Sequence, residues 1–159
     1  MIRGRFRGCF RGLFRGSLRG GFRAWLASWR RGGASRSSPH LALGARGERL
    51  AAGYLRRRGY RILDRNVRLG VDEADLIVRD PEDRFLVIVE VKTRRSDATD
   101  PAEHVSRTKQ FRLARLAARL LRQPAYRDAA IRFDVVAVTL PDDGEPRIQH
   151  WTGAFEAPF

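Results

Sequence analysis

The stretch from Asp75 to Lys92 limits the choice of fold more than any other part of this chain. Two apolar segments rich in β-branched residues, 75–78 and 85–92, flank a polar segment that contains Pro81. This pattern predicts a β-hairpin. In the second segment both side-chain parities are apolar, which is typical of a central strand covered on both faces. We therefore expect a sheet with this hairpin at its centre.

Charged residues interrupt the apolar pattern at one end of the hairpin. Glu90 and Lys92 have the same parity, so both project from the same face of the second strand. A hairpin loop with an even number of residues brings Asp75 to that face, opposite Glu90 or on the diagonal, with Cβ atoms roughly 4.5–8 Å apart. Because an unpaired charge at the edge of a core costs free energy, these three side chains are candidates for a functional site.

Two neighbouring carboxylates and a backbone carbonyl such as that of Val91 offer the oxygen ligands that Mg²⁺ or Mn²⁺ prefers. A lysine beside such a metal orients a bound water or stabilises charge on a phosphate. The set is therefore typical of metal-assisted phosphodiester hydrolysis. Alternatively, Glu90 and Lys92 form an ion pair at a strand end and Asp75 merely begins a strand. The spacing alone does not separate these interpretations.

Basic charge is concentrated near the N-terminus. The 159 residues carry a formal net charge of +14, which favours a polyanionic partner such as DNA. Residues 1–38 contain ten Arg and no acidic residue, so the remainder has 32 − 10 = 22 basic against 18 acidic residues. The same segment repeats a Phe-Arg-Gly unit, whose glycines disfavour a helix. We predict a disordered leader and linker over residues 1–42 and one domain over residues 43–159.

The function of the leader stays open at this point. An Arg-rich segment without acids suits nucleic acid or acidic lipid, and it also resembles a transit peptide. It is equally compatible with a tail without function, or with upstream sequence included by a wrongly chosen start codon.

Several classes of protein are excluded by composition. No apolar run approaches the roughly 20 residues of a membrane span, and the regularly spaced Arg residues do not suit a secretory signal. A single cysteine, Cys9, excludes an internal disulfide and a cysteine-based metal site. We expect a cytoplasmic protein without a membrane partner, and we leave open whether it forms a homodimer.

The remaining elements follow from apolar periodicity and from Gly and Pro breaks. The expected order is a helix over 44–58, a strand from 60 to 69 with a bend at 64–66, the central hairpin, a helix over 102–122, and strands over 131–138 and 147–151. Glu48 lies on the inward side of the first helix, although it also suits the helix dipole as a first-turn acid. This order predicts an α/β sandwich with a mixed five-stranded sheet.

Basic residues near the hairpin and on the second helix are candidates for binding nucleic acid. Lys109 precedes buried positions of its helix and is expected to point inward near the helix start. Another helix face and the end of the hairpin contribute further candidates, namely Arg112, Arg115, Arg119, Arg94 and Arg95. Such residues contact phosphates or are simply solvated surface charges.

Six motifs, taken in order, resemble the bacterial YraN-like family. They are Gly47–Ala52, Gly59–Asn66, Glu73–Ile77, Glu90–Arg94, Lys109-Gln110 and Arg132–Val136. This family is similar to the PD-(D/E)XK nuclease superfamily, notably the archaeal Holliday junction resolvases. The resemblance implies a restriction-endonuclease-like sandwich and a metal-dependent endonuclease that acts on DNA, including branched DNA. A non-catalytic protein that binds structured nucleic acid is the alternative.

The resemblance also implies roles for individual residues. Asp75, Glu90 and Lys92 correspond to the catalytic set, and Glu48 to a carboxylate on the metal side. Gln110, or its neighbour Lys109, corresponds to the assisting helical position. Two departures are present: Asp72-Glu73-Ala74-Asp75 replaces the usual Gly-Glu-Ile-Asp, and the proline before the first aspartate is absent.

Overall fold

A computed structural model of the protein describes residues 39–96 and 105–158. The predicted leader therefore lies outside the described residues, apart from its last four positions. Among these, Pro39 already begins a helix, five residues before the predicted start. Proline suits the first turn of a helix because the N–H that it lacks has no partner there.

The described chain forms two helices and one five-stranded sheet. In chain order the elements are α1 (Pro39–Arg57), β1 (Arg61–Leu69), β2 (Asp72–Arg79), β3 (Phe85–Arg94), α2 (Arg107–Leu121), β4 (Ala130–Thr139) and β5 (Arg147–Trp151). The strands lie side by side in the order β1-β2-β3-β4-β5. β3 and β4 are parallel and the other three pairs are antiparallel, so the predicted α/β fold with a mixed sheet is confirmed.

The predicted central hairpin is formed by β2 and β3. Its register pairs Arg79 with Leu86 and Leu76 with Val89. Asp80 closes the loop, because its Oδ1 accepts a hydrogen bond from the Phe85 N–H at 2.8 Å. β3 then lies between β2 and β4, which gives this strand a central position in the sheet.

Each helix covers one face of the sheet. Ala51 and Leu55 of α1 pack in a core with Val87 and Val89. Residues of α2 form a second core with alternate positions of β2 and β3, namely Leu113, Leu116, Leu120, Ile77, Leu86 and Ile88. Both parities of β3 are apolar because both of its faces are covered, and each fully buried aliphatic side chain contributes roughly 1.5–3 kcal/mol. The arrangement is consistent with a nuclease-like sandwich.

Two further details differ from the prediction. β1 is one continuous strand, and the predicted bend is a register shift between Ile62 and Asp64 followed by Asn66 at φ 50°. α2 begins at Arg107 rather than at residue 102, because Ser106 caps the helix by accepting a hydrogen bond from the Lys109 N–H.

Candidate functional site

Asp75 and Glu90 come together where β2 and β3 reach the end of their pairing. Leu76 pairs with Val89, so the next position on each strand places Asp75 opposite Glu90. The Val91 N–H donates a hydrogen bond of 2.6 Å to Asp75 Oδ2. The even-numbered loop that the sequence analysis required is therefore present, and the two carboxyl groups are neighbours.

The Asp75 carboxyl has a strongly altered acidity. Burial, and then the negative charge of Glu90, raise its pKa to about 7. The hydrogen bond from Val91 and the positive charge of Lys109 oppose this rise, and the charge of Glu48 adds to it. Near neutral pH the site is therefore poised between a neutral and an ionised Asp75, and a further cation would favour the ionised form.

Glu90 is almost completely buried, and two lysines surround it. Its side chain is 6% exposed, with Lys92 Nζ 2.9 Å from Oε1 and Lys109 Nζ 3.0 Å from Oε2. Lys92 donates a hydrogen bond to Oε1. Lys109 approaches Oε2 without hydrogen-bond geometry, so within the described part of the chain Oε2 accepts no hydrogen bond. The nearby Lys109 ammonium therefore offsets the charge of Oε2 through a contact that lacks hydrogen-bond direction.

The contact between Glu90 and Lys92 bears on the alternative interpretation of these residues. The ion pair named above as the alternative to a functional site is present in the structure. It accounts for Oε1 of Glu90, and the Lys109 ammonium offsets the charge of Oε2. The raised pKa of the neighbouring Asp75 carboxyl is not accounted for by either ion pair.

Glu48 approaches the same region from α1. The helix passes close to β3 at Gly47, where an added Cβ would lie 2.8 Å from the Thr93 Cβ. Glycine thus permits this close packing, and the half-buried Glu48 follows it directly. Its charge adds a small contribution to the raised pKa of Asp75, so Glu48 lies within electrostatic reach of the site. Because α1 begins at Pro39, Glu48 is not in the first turn, and the alternative role as a first-turn acid is wrong.

The donor set is small. Within residues 39–96 and 105–158, no group of three or more His, Cys, Asp or Glu side chains is arranged to hold a metal ion. Mg²⁺ commonly binds proteins through one or two carboxylates and keeps several waters. The Asp75 and Glu90 carboxyl groups match that donor set, whereas Glu48 is not assembled with them into a three-carboxylate cluster in the described part of the chain.

The helical position next to the site is occupied by Lys109. Gln110 instead uses its Nε2 to donate a hydrogen bond of 2.9 Å to the Val105 carbonyl, at the start of α2. Of the two residues that the resemblance left open, Lys109 is the one that contacts Glu90.

The arginine stripe of α2 is divided between two environments. Arg115 and Arg119 form ion pairs with Asp72, which is fully buried at the start of β2. Arg115 Nε donates to Asp72 Oδ2 at 3.2 Å, and Arg119 also donates to the Leu69 carbonyl. These contacts hold α2 to the β1–β2 turn. Their role in nucleic-acid binding stays a prediction.

The sequence carried a signal for this docking contact. Asp72 stands where the resemblance to the YraN-like family leads us to expect glycine, and two arginines four residues apart face it from α2. By contrast, Arg112 is exposed and forms no ion pair with any described residue. At the end of β3, Arg94 Nε donates to Thr139 Oγ1 at 3.4 Å, and Arg95, just after the strand, pairs with Asp142.

A second buried charge network on the α1 face was missed by the sequence analysis. Asp134 accepts two hydrogen bonds from Arg132, at 2.8 and 2.9 Å, and contacts His150 Nε2 at 2.9 Å. The Gly153 N–H donates to the same carboxylate. Burial alone would raise the pKa of Asp134, but the hydrogen bonds from His150, Arg132 and Gly153 outweigh it and lower that pKa. The network joins β4 to β5. In the sequence it was indicated by Arg132 and Asp134, two residues apart and therefore on the same face of one strand.

A groove of about 430 Å³ lies between α2 and the C-terminal segment. Its lining is largely apolar and includes Ala117, Leu121, Phe133 and Phe155. Neither Asp75 nor Glu90 lines it. The groove therefore lacks the grouped carboxylates that hydrolytic chemistry needs, and the candidate site is at the β2–β3 end.

Comparison with known proteins places this arrangement in a family. The model of the uncharacterised protein family UPF0102 matches residues 47–138, from the close approach of α1 to the end of β4. This chain belongs to the UPF0102 family. The match includes Glu48, Asp75, Glu90, Lys92 and Lys109. The resemblance to the YraN-like family is thereby confirmed.

Individual UPF0102 relatives are similar over most of their length. The chain is 48% identical over 116 residues to the UPF0102 protein of Anaeromyxobacter dehalogenans, covering 72% of this chain and 84% of that relative. It is 45% identical over 117 residues to the UPF0102 protein of Rhodococcus opacus, covering 73% of this chain and 98% of that relative. The UPF0102 protein of Pelobacter propionicus is 41% identical over 117 residues, 73% of this chain and 84% of the relative.

No α-helix in the described part of the chain is both long and apolar enough to cross a membrane.

Proposed function

We propose that this UPF0102 protein is a divalent-metal-dependent nuclease that hydrolyses phosphodiester bonds in DNA, including branched or otherwise structured DNA. The observation that carries the proposal is the pair of neighbouring carboxyl groups, Asp75 and the almost completely buried Glu90, at the end of the β2–β3 pairing. The Oε2 atom of Glu90 has Lys109 as an ionic contact but accepts no hydrogen bond from the described residues. Burial and the repulsion between the two carboxyl groups, which raise the pKa of Asp75 to about 7, cost stability. Such a pair is expected where a cation is bound.

Each residue has a distinct task in this proposal. Asp75 and Glu90 hold Mg²⁺ or Mn²⁺, and Val91 fixes the Asp75 carboxylate through its N–H. A bound divalent cation would polarise the phosphodiester and lower the pKa of a water molecule. Lys92 is held by Glu90 and is 36% exposed, so its ammonium can face the phosphate and stabilise the charge that develops there.

Several basic residues surround this site and suit a DNA backbone. Arg94 and Arg95 follow Lys92 at the end of β3, while Lys109 and Arg112 lie on the first turns of α2. Arg115 and Arg119 are half exposed despite their pairing with Asp72. We propose that these side chains contact phosphates, which would position DNA without reading its sequence.

A second candidate function is non-catalytic binding of structured nucleic acid. It is favoured by one specific observation: Lys92 and Lys109 together offset the charge of Glu90. Because the lysines neutralise Glu90, the fold does not need a metal ion for stability. A protein that binds nucleic acid without catalysis would have such a site.

A calorimetric titration with Mg²⁺ and Mn²⁺, combined with cleavage assays on linear, flapped and four-way-junction DNA, tests the proposal. We expect the wild type to bind metal and to cleave at least one of these DNAs. Glu90→Gln should lose both properties, and Lys92→Ala should bind metal without cleaving, because the phosphate is no longer stabilised. DNA binding by a wild type that binds no metal and cleaves nothing would support the second candidate and refute the first.

A further inference from the structure

Both lysines of this chain lie at the same buried carboxylate. The chain has 32 Lys and Arg residues, and just two of them, Lys92 and Lys109, are lysines. Both contact the same buried carboxylate, Glu90. At the other positions with a permanent basic charge the chain uses arginine, including those paired with Asp72 and Asp134.

Arginine and lysine differ in a way that matters at a carboxylate. The guanidinium group is a planar fork that engages both carboxylate oxygens at once, as Arg132 does with Asp134. The ammonium group is a compact charge on a flexible stem, and it engages one oxygen at a time. Two lysines therefore neutralise Glu90 while leaving each oxygen separately accessible to exchange.

The two lysines are held in different ways. Lys92 is two residues from Glu90 on β3 and donates a true hydrogen bond of 2.9 Å to Oε1. Lys109 comes from α2, lies 3.0 Å from Oε2 without hydrogen-bond geometry, and donates a long hydrogen bond of 3.4 Å to the Glu73 carbonyl. Among the described residues, Oε2 thus receives a positive charge but no hydrogen bond. Lys109 therefore loses only weak directional contacts when it leaves Glu90.

We propose that the Lys109 ammonium is an exchangeable counter-ion of Glu90. In the metal-free protein it neutralises Oε2, a divalent cation displaces it, and the released ammonium then binds a phosphate of the nucleic acid. The inference rests on the proposed function, because it takes Asp75 and Glu90 to be the metal-binding carboxylates. It assigns Lys109 as a positioning residue that couples metal binding to substrate binding.

Competition for one oxygen has a measurable consequence. Any free energy that Lys109 gains from Glu90 must be given up when the metal binds, so the lysine lowers the apparent metal affinity. Removing the ammonium should therefore tighten metal binding. It should also weaken the binding of nucleic acid to the metal-loaded protein, because a phosphate contact is lost.

Calorimetric Mn²⁺ titrations of four proteins test the exchange. These are the wild type, Lys109→Met, Lys92→Met and Arg112→Met, where the last removes an exposed charge one turn further along α2. We expect roughly tenfold tighter binding for Lys109→Met, a clearly smaller change for Lys92→Met, and no change for Arg112→Met. Lys109→Gln provides a second variant in case Lys109→Met unfolds.

A labelling experiment gives an independent readout. Because the chain has two lysines, acetylation by an amine-reactive ester followed by mass spectrometry reports on each of them separately. Lys109 is 19% exposed in the ion pair, so adding Mn²⁺ should increase its acetylation rate severalfold. The rate at Lys92 should change little.

The outcomes separate this inference from the proposed function. If the wild type binds metal but Lys109→Met binds it no more tightly, the exchange is refuted and the metal site stands. Equal tightening in Lys92→Met and Lys109→Met would mean general electrostatics rather than exchange and would also refute it. If no variant binds metal, the proposed function fails and this inference fails with it.

Discussion

The Val91 backbone N–H lies 2.6 Å from Asp75 Oδ2 and donates a hydrogen bond to it across the β2–β3 pair. This contact fixes the position of a carboxyl group whose surroundings otherwise favour its neutral form. Burial and the Glu90 charge raise the pKa to about 7 in spite of that hydrogen bond. The hydrogen bond from Val91 therefore holds an acidic group in an environment that disfavours its charge. The resulting loss of stability can be measured as the pH dependence of the unfolding free energy.

Asp75→Asn should stabilise the metal-free protein above pH 7. The folded state holds the Asp75 proton up to about pH 7, whereas the unfolded chain releases it near pH 3.8. The unfolding free energy of the wild type therefore falls as pH rises between these values, and Asn removes this loss. We expect the variant to be about 1–3 kcal/mol more stable at pH 8 and nearly equal at pH 4, as measured by urea denaturation. An identical difference at both pH values would contradict the assignment.

Glu90→Gln should have the opposite effect on the metal-free protein. Removing this carboxylate leaves the ammonium groups of Lys92 and Lys109 without their buried counter-charge. Both lysines can turn partly to solvent, so we expect a loss of about 1–3 kcal/mol, below the cost for a fully buried pair. Asp75→Asn serves as the matched control at pH 8. A Glu90→Gln protein as stable as Asp75→Asn would show that the two ion pairs contribute nothing.

Arg115→Met and Arg112→Met should differ although both change one arginine of α2. Arg115→Met leaves the buried Asp72 with Arg119 as its remaining ionic partner among the described residues, so the melting temperature should fall. Arg112 is exposed, and its replacement should leave stability within about 0.5 kcal/mol. If α2 contacts DNA, Arg112→Met should still weaken binding, with a shallower dependence on salt concentration. Thermal unfolding and DNA titrations at several salt concentrations measure both effects.

Gly47→Ala and Gly44→Ala form a matched pair within α1. An added Cβ at position 44 meets no atom within 4 Å, so the better helix propensity of alanine should stabilise the protein by up to about 1 kcal/mol. At position 47 the Cβ would lie 2.8 Å from the Cβ of Thr93, a β-branched residue with little rotamer freedom. The helix must then move away from β3, and we expect a net loss of about 1–3 kcal/mol. Equal stability of the two variants would mean that α1 can move away from β3 without loss of unfolding free energy.

Asp134→Asn should destabilise the fold at neutral pH by about 3 kcal/mol, since it removes the buried carboxylate that pairs with the partly buried Arg132 and leaves Asp80, at 4.0 Å, as a remaining ionic partner. Hydrogen bonds from His150, Arg132 and Gly153 overcome the effect of burial and lower the pKa of this group. Its contribution is therefore present above the unfolded pKa near 3.8 and is lost as pH falls through the lower folded value. The difference between wild type and variant should narrow below pH 4. A difference that does not change with pH would exclude a titrating Asp134.

Patterns of period two and 3.6 in the sequence determined the elements of this fold. The doubly apolar segment from Phe85 to Val89 required a strand with both faces covered, and two amphipathic helices were available to cover them. The adjacency of Asp75 and Glu90 followed from the same periodicity, because strand register transmits a local pattern directly across a hairpin. Contacts of this kind join residues that are close in sequence, and backbone geometry determines them.

Only the tertiary structure decided which distant charges meet. Lys109 rather than Gln110 reaches Glu90, and Arg115 and Arg119 turn to Asp72, because the packing of α2 on the sheet sets the rotation of the helix about its axis. A rotation of one residue, or 100°, exchanges one neighbour for the next. Helical periodicity identifies a buried face about that wide, and close packing of side chains determines the rest.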